Sequence, residues 1–381
     1  MLAKLAWYQL ITEKRRLLAA LGGIAFAALL QLVQSGFRDA LFTSSTVFYS
    51  RLAADLVLTS SQYEYVLATG TITRRRLYQT LALPEVESVA PMYMGMAPFK
   101  NIVTHEDKRI FILAWDPDQL VLNEPSIVQS IHEVKLPNVA IFDALSRPDF
   151  GPIAERVRQN SSVTTEVAGH RTKVAGLFEL GPSFAGNGHL IMSDTSFRKT
   201  FNRPEGVFEF GLVRLKPGIN VAAAQAALIA ALPGDVKVMT RDQFCALEQT
   251  FWNTSTPIGF IFLLGQFIGV VVGAVIVYQI LYTDVSDHLS EYATLKAMGY
   301  SDRRLYVVVL EEALILSVCG FPLGFALAQG VYKIARNATH LPIEMTAERA
   351  IVVFVLTLGM CGGAGMLAMR KLKAADPAEV F

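Results

Sequence analysis

Asp284–Arg304 (DVSDHLSEYATLKAMGYSDRR) is the stretch whose residue types and spacing could do chemistry. It carries both signs of charge and stands between two long apolar runs, Ile258–Leu281 and Tyr306–Val331. Ser286 or Asp287 is placed to cap a helix running to Met298, and Gly299 suits the left-handed residue just past its end. Ser301 or Asp302 can then cap the next apolar run. Leu289, Ala293 and Ala297 recur on one side of the short helix, with Tyr292 and Leu295 flanking them, while Glu291 and Lys296 offer charges. A loop meant only to connect would be polar and flexible. A capped, apolar-faced one suits docking into a groove, so the chemistry expected here is recognition and transfer of force.

Other candidates lie in the apolar runs themselves. Glu311 and Glu312 fall about two turns into the second run, where a carboxylate costs on the order of 2.5–3.5 kcal/mol on the mild insertion scale. Arg304 precedes Glu311 by seven residues on one helical face. An ion pair reaching back to Arg303 or Arg304 and steadying the helix end is the preferred reading, against a proton or substrate site. Gly265, Gly269 and Gly273 recur every four residues, and Gly320 and Gly324 repeat the motif with Pro322 between them as an expected kink. Such stripes let two helix backbones approach closely, within one subunit or between two.

Nothing accompanies these residues that could break bonds. Gly181–Gly186 has one residue too many for a nucleophile elbow, and His105-Glu106 and His132-Glu133 lack the second histidine of a zinc-protease motif. No phosphate-binding P-loop occurs, and the six histidines form no cluster at zinc spacing. No catalytic, cofactor-binding or metal-binding residue is therefore expected, and the chain reads as no enzyme. Three cysteines make no disulfide framework, and a net charge of +1 gives no footing for nucleic acid.

The elements that must position these residues follow from hydropathy. The 381 residues are 52% hydrophobic and 18% charged, whereas soluble chains carry about 25% charge. Four windows are long and apolar enough to cross a bilayer: Leu17–Phe37, Ile258–Leu281, Tyr306–Val331 and Ala350–Leu367. The first is too long for an ordinary signal peptide and lacks a small-x-small cleavage site, so it reads as an uncleaved anchor. Lys4, Lys14, Arg15 and Arg16 precede the first window, and Arg370, Lys371 and Lys373 follow the last. The positive-inside rule puts both termini in the cytoplasm, and parity puts 284–304 there too.

The resulting plan is an amphipathic cytoplasmic helix (1–16), spans at 17–39, 257–283, 305–331 and 350–368, a coupling segment (284–304), an outer loop (332–349) and a cytoplasmic tail (369–381). Residues 40–256 are long enough to hold a core of their own outside the membrane. There Ala54–Thr59, Val86–Pro98, Arg109–Ala114, Val139–Phe142, Thr172–Phe178 and Val207–Leu215 read as strands. Thr71–Leu81 and Val221–Ala231 read as helices, the latter capped by Asn220, and Asp143–Arg171 reads as a less regular connection. The expected fold class is an α-helical membrane protein with four transmembrane helices and a large extracytoplasmic α+β domain between helices 1 and 2.

Glu291–Gly299 (EYATLKAMG) resembles the coupling segment of FtsX/MacB-type ABC transporter permeases, whose pattern is roughly E-x-(G/A)-x-x-(K/R)-A-x-G. The order of one span, a large outer domain and three spans fits the same family, as does Asp376–Glu379 (DPAE). More narrowly, Phe251–Gly259, Val277–Met298 and Met369–Phe381 look like the DevC-type permeases of glycolipid exporters. The resemblance is strong in the membrane part and weak in the outer domain. It implies a MacB-like periplasmic domain, a homodimer in the bacterial inner membrane, and a separate ABC ATPase dimer that binds ATP in this chain's stead. It implies that Glu291, Tyr292, Leu295, Lys296, Met298 and Gly299 meet that ATPase. It also implies a periplasmic membrane-fusion adaptor and a TolC-like outer-membrane channel, worked by mechanotransmission. An FtsX-like regulator of cell-wall hydrolases and a lipoprotein-releasing permease share the architecture.

Overall fold

A computed structural model describes residues 14–159, 162–183, 186–298 and 300–369, with the side chains of residues 16, 284, 292, 293, 295, 297, 302 and 303 outside the description. The expected tail beyond Met369 and all but the last turn of the expected amphipathic helix lie outside the described residues. Two compact units emerge, one built from the long helices and one from Leu41–Pro257 with Thr339–Pro342.

Among the described residues four helices are long and apolar enough to cross a membrane. They are Lys14–Ser45, Pro257–Asp287, Asp302–Thr339 and Ala347–Ala368, referred to below as the first to fourth long helices. In a bilayer, charge would set the level of three of them. Leu17–Phe37, Ala313–Tyr332 and Ala350–Met369 are uncharged runs of 21, 20 and 20 residues. At about 1.5 Å per residue each matches the roughly 30 Å hydrocarbon layer. The helices outrun the expected spans because no breaker stops them. The third continues through Pro322 as far as Thr339, and the expected outer loop shrinks accordingly. The fourth starts where the Thr346 hydroxyl accepts from the Arg349 amide at 3.2 Å. Small residues fill the bundle core: Ala20 and Ala27 of the first helix, Ala313 of the third, Cys361 and Ala364 of the fourth, against Val277 and Leu281 of the second.

The second unit is built on strands. β1 (Leu56–Ser60), β2 (Ile72–Thr73), β3 (Val86–Lys100), β4 (Asp107–Trp115), β5 (Val139–Asp143) and β6 (Val163–Val167) come first. β7 (His170–Phe178), β8 (His189–Ser193), β9 (Val207–Phe208), β10 (Phe210–Leu215) and β11 (Val236–Thr240) complete the set. The order is β11-β1-β10-β3-β4-β8-β5-β7-β6, with β2 and β9 paired separately. β3 changes partner midway: Val86–Met92 pairs with β10, and Tyr93–Lys100 pairs with β4. Phe99 of β3 also pairs with Val167 of β6, which closes β3-β4-β8-β5-β7-β6 into a ring. The β4–β8 and β5–β7 pairs are parallel and the others antiparallel, so the sheet is mixed.

Several expectations need correction. Asp143–Arg171 is not a plain connection: it holds the helix Ile153–Arg158 and β6, whose alternating VTTEV exposes every second residue. Thr71–Leu81 divides into β2 and the helix Arg74–Gln79. Val207–Leu215 is interrupted at Glu209. The carboxylate of Glu209 is buried, accepts from the Met94 amide at 3.1 Å and pairs with Arg203 at 2.9 Å, and its burial pushes its pKa upward. β8, β11 and the helices Asp194–Phe201 and Arg241–Thr250 were not expected.

The last of these helices leads toward the second long helix. Its N-terminus carries a reciprocal capping box between Thr240 and Gln243. Glu248, fully buried near its end, accepts from Trp252 Nε1 at 2.8 Å, from the Tyr63 hydroxyl at 2.9 Å and from the Val66 amide at 3.1 Å. Tyr49 lies 3.1 Å from Tyr63, oxygen to oxygen, and extends the chain. A π-helical turn, Phe251–Ser255, follows, with Tyr65 stacked 4.0 Å from Phe251. Thr256 is extended ahead of Pro257, as a residue before proline should be.

Burial raises the Glu248 carboxyl above the ordinary carboxylate range, and the Trp252, Tyr63 and Val66 donors offset only part of that rise. A carboxyl whose pKa is higher folded than unfolded stabilises the fold fully below the unfolded value. It loses that contribution as pH rises through the folded value. The unfolding temperature of the full chain in detergent is therefore expected to carry a component that falls with rising pH, starting near pH 4.3. Glu248→Gln should remove that component. An identical pH profile in the variant would exclude Glu248 as its source.

Candidate coupling hairpin and helix-end clasp

The backbone of the hairpin follows from where helical hydrogen bonding can run on. The second long helix continues to Asp287, since Thr283 and Ser286 turn their hydroxyls back onto the Gln279 and Tyr282 carbonyls at 2.9 and 2.7 Å. Neither Ser286 nor Asp287 caps the short helix, which is a correction. That helix spans Leu289–Ala297, with His288 at its N-cap position and no side-chain cap bond. His288 Nδ1 lies 3.2 Å from Glu291 Oε1. At the far end the Met298 amide bonds the Thr294 carbonyl at 3.0 Å, and the third long helix begins at Asp302.

Packing decides which face stays outward. Val285, Leu305, Val309 and Met369 form a buried cluster against which Leu289 and Tyr306 pack. Leu289 thus anchors the short helix to its own bundle instead of facing a partner. Glu291, Thr294 and Met298 are exposed, at i, i+3 and i+7 along one stripe. Lys296 is half-buried. The side chains of Tyr292 and Leu295, and Gly299 as a whole, lie outside the described residues. Met298 is 63% exposed, a large apolar side chain at the tip of the stripe.

Arg304 does not pair with Glu311. Its guanidinium sits 5.9 Å above the Tyr300 ring, a contact of about 0.5–1 kcal/mol at an exposed site. Seven residues are two full turns, whereas side chains meet at three or four. Arg303 lies outside the described side chains. Glu312 is buried and Glu311 half-buried. They stand immediately before the uncharged run Ala313–Tyr332.

All five stripe glycines face other helices of the same chain. A Cβ on Gly265 would meet the Gln34 amide, on Gly269 the Gln31 side chain, and on Gly273 Met360 and Ala27. On Gly320 it would meet Ile24, and on Gly324 the Ala25 carbonyl oxygen at 2.5 Å. The stripes of the second and third long helices thus both seat the first.

Beyond the other end of the run Ala313–Tyr332 lies a cluster that sequence reading missed. Arg349, buried at the start of the fourth long helix, donates to Asp39 Oδ2 from Nη2 at 2.9 Å and from Nε at 3.2 Å. Its Nη1 donates to the Tyr332 hydroxyl at 3.4 Å and to the Glu344 carbonyl. Tyr332 in turn donates to the Leu32 carbonyl, and its hydroxyl occupies the space a Cβ on Gly36 would fill. One guanidinium thereby ties the ends of the first, third and fourth long helices. The available signal was that Asp39 lies two residues after the uncharged run Leu17–Phe37 and Arg349 directly before Ala350–Met369.

Residues 249–377 match the family model described as FtsX-like permease C-terminal. No curated protein matches the chain. Among the solved structures similar to it are two. One is the periplasmic region of MacB from Actinobacillus actinomycetemcomitans, at 13% identity over 54% of this chain and 95% of that one, with a TM-score of 0.34. The other is the extracellular domain of the noncanonic ABC-type transporter YknZ from Gram-positive bacteria, at 12% identity over 49% of this chain and 99% of that one, with a TM-score of 0.32.

Proposed function

We propose that the chain is the permease subunit of an ABC-type export system that works by mechanotransmission. The observation that carries the reading is the FtsX-like permease match over 249–377, within which a short helix lies between two long apolar helices and presents Glu291, Thr294 and Met298. On this reading the four long helices cross the bacterial inner membrane, with both termini and 284–304 in the cytoplasm and 40–256 outside. A separate ATPase dimer grips the hairpin at Glu291, Tyr292, Leu295, Lys296, Met298 and Gly299. Nucleotide-driven closure of that dimer moves the hairpin. The second long helix carries the movement outward to the π-helical turn and the Glu248 network, which hold the helix Arg241–Thr250 to its domain. A second copy of the chain completes the permease. A membrane-fusion adaptor and a TolC-like channel take the cargo, a glycolipid, onward.

The test is coupling. In proteoliposomes holding the chain with its ATPase, Leu295→Asp is expected to lower permease-stimulated ATP hydrolysis by on the order of tenfold or more, as loss of an apolar anchor in an interface does. The dimer should survive, as judged by size. Undiminished stimulation with intact assembly would remove 284–304 as the point of contact.

A further inference from the structure

The third long helix ends in a cavity of about 540 Å³. Tyr332, Lys333 and Arg336 line it from the helix, and Ile343, Glu344 and Met345 from the segment leading to the fourth. Lys333 is the first charged residue after the 20 uncharged ones that begin at Ala313. If that run fills the hydrocarbon layer, Lys333 and Arg336 stand at phosphate level. Among the described residues neither is held in an ion pair. Glu344 contributes an opposing carboxylate, so the lining carries two cations against one anion.

The approach to the cavity is apolar. Leu323, Leu327 and Ile334 are 50%, 56% and 72% exposed, and with Gly330 they form one stripe at i, i+4, i+7 and i+11. A Cβ on Gly330 would meet nothing within 4 Å, so the stripe is notched at the level of the cavity. A helix C-terminus favours cations on its own account. That effect alone does not explain a walled cavity reached along a notched apolar track.

We infer that this cavity seats the phosphate of an anionic membrane lipid, with an acyl chain along Leu323, Leu327 and Ile334. The inference rests on the reading of the long helices as membrane-crossing. Lys333 and Arg336 supply the charge. Tyr332 and Glu344 belong both to the cavity and to the Arg349 clasp, so an occupied site braces the joint between the first, third and fourth long helices.

The experiment uses the full chain in detergent, without any ATPase, so its failure is separable from failure of the coupling test. Phosphatidylglycerol, phosphatidylcholine and inorganic phosphate are added in turn. Retained lipid is read by native mass spectrometry and stability by thermal unfolding. Phosphatidylglycerol is expected to be retained and to raise the unfolding temperature more than phosphatidylcholine does. Lys333→Gln with Arg336→Gln should weaken retention about thirtyfold, about fivefold per cation. Lys333→Arg with Arg336→Lys should keep it, and lipid-free unfolding of both variants should match that of the parent. Equal retention by the glutamine variant, or no preference of the parent chain for phosphatidylglycerol, overturns the proposal. So does equal stabilisation by inorganic phosphate, which would make this a site for the free ion. If the double variant fails to fold, the lipid preference of the parent chain decides by itself.

Discussion

Arg349→Ala is expected to lower the stability of the full chain by about 3 kcal/mol, read by denaturant or thermal unfolding in detergent. Breaking a buried ion pair by removing one partner costs about 3–5 kcal/mol. The lower end applies because the Asp39 side chain is 44% exposed and can recover water. The loss extends beyond one pair. The Glu344 carbonyl loses its donor, the Tyr332 hydroxyl loses the guanidinium beside it, and three helix ends lose a common tie. Arg349→Lys keeps the charge but cannot hold Asp39, Tyr332 and Glu344 at once, because an ammonium lacks the fork. It should fall between the parent chain and alanine. Asp39→Asn should be milder than either, since Arg349 keeps its two other acceptors. A loss of under about 1 kcal/mol in the alanine variant would place the arginine among ordinary surface charges.

Gly324→Ala is the second large effect, and it separates two kinds of glycine. The added Cβ would lie 2.5 Å from the Ala25 carbonyl oxygen and 2.9 Å from the Ala28 Cβ. Neither neighbour can rotate away, so the first and third long helices must part. Overpacking of this kind costs about 1–3 kcal/mol. At Gly265 the nearest atom is the Gln34 amide nitrogen, the end of a flexible side chain, so Gly265→Ala should be absorbed by its turning aside. Gly359 has open space around it, so Gly359→Ala should be neutral or slightly stabilising from helix propensity. Equal unfolding temperatures for the Gly324 and Gly359 variants would remove the first helix as the partner of the Gly320–Gly324 stripe.

Much of the helical unit was legible because lipid demands long apolar runs, and such runs leave little ambiguity. The helix Val221–Ala231 was equally plain, with Asn220 Oδ1 accepting from the Ala223 amide at 3.1 Å as a cap should. β3 and β4 carried enough β-branched and aromatic residues to stand out. β8 did not, because HLIMS is buried on both faces and so lacks alternation. β6 alternates, but its VTTEV is too polar to attract notice in a single sequence.

The candidate site divides the same way. The hairpin was visible from its charges between two apolar runs, yet neither its capping nor its outward stripe was. Which face Leu289 takes depends on Val285, Leu305 and Met369, which come together only after folding. The clasp was hidden by distance, since Arg349 and Asp39 are 310 residues apart. Glu248 and Tyr63, 185 apart, were hidden for the same reason. A lone charge at the edge of an apolar run hints that it has a partner, but not which one.

The changeover of β3 between Met92 and Tyr93 has a consequence for how the second unit assembles. A slip of one residue anywhere along that strand would turn its inward side chains outward on both sides of the changeover at once. Correct alignment with β10 and correct alignment with β4 are therefore not separate achievements. The open half and the closed ring share a single registration, and the 15 residues Val86–Lys100 act as the common ruler against which both are laid.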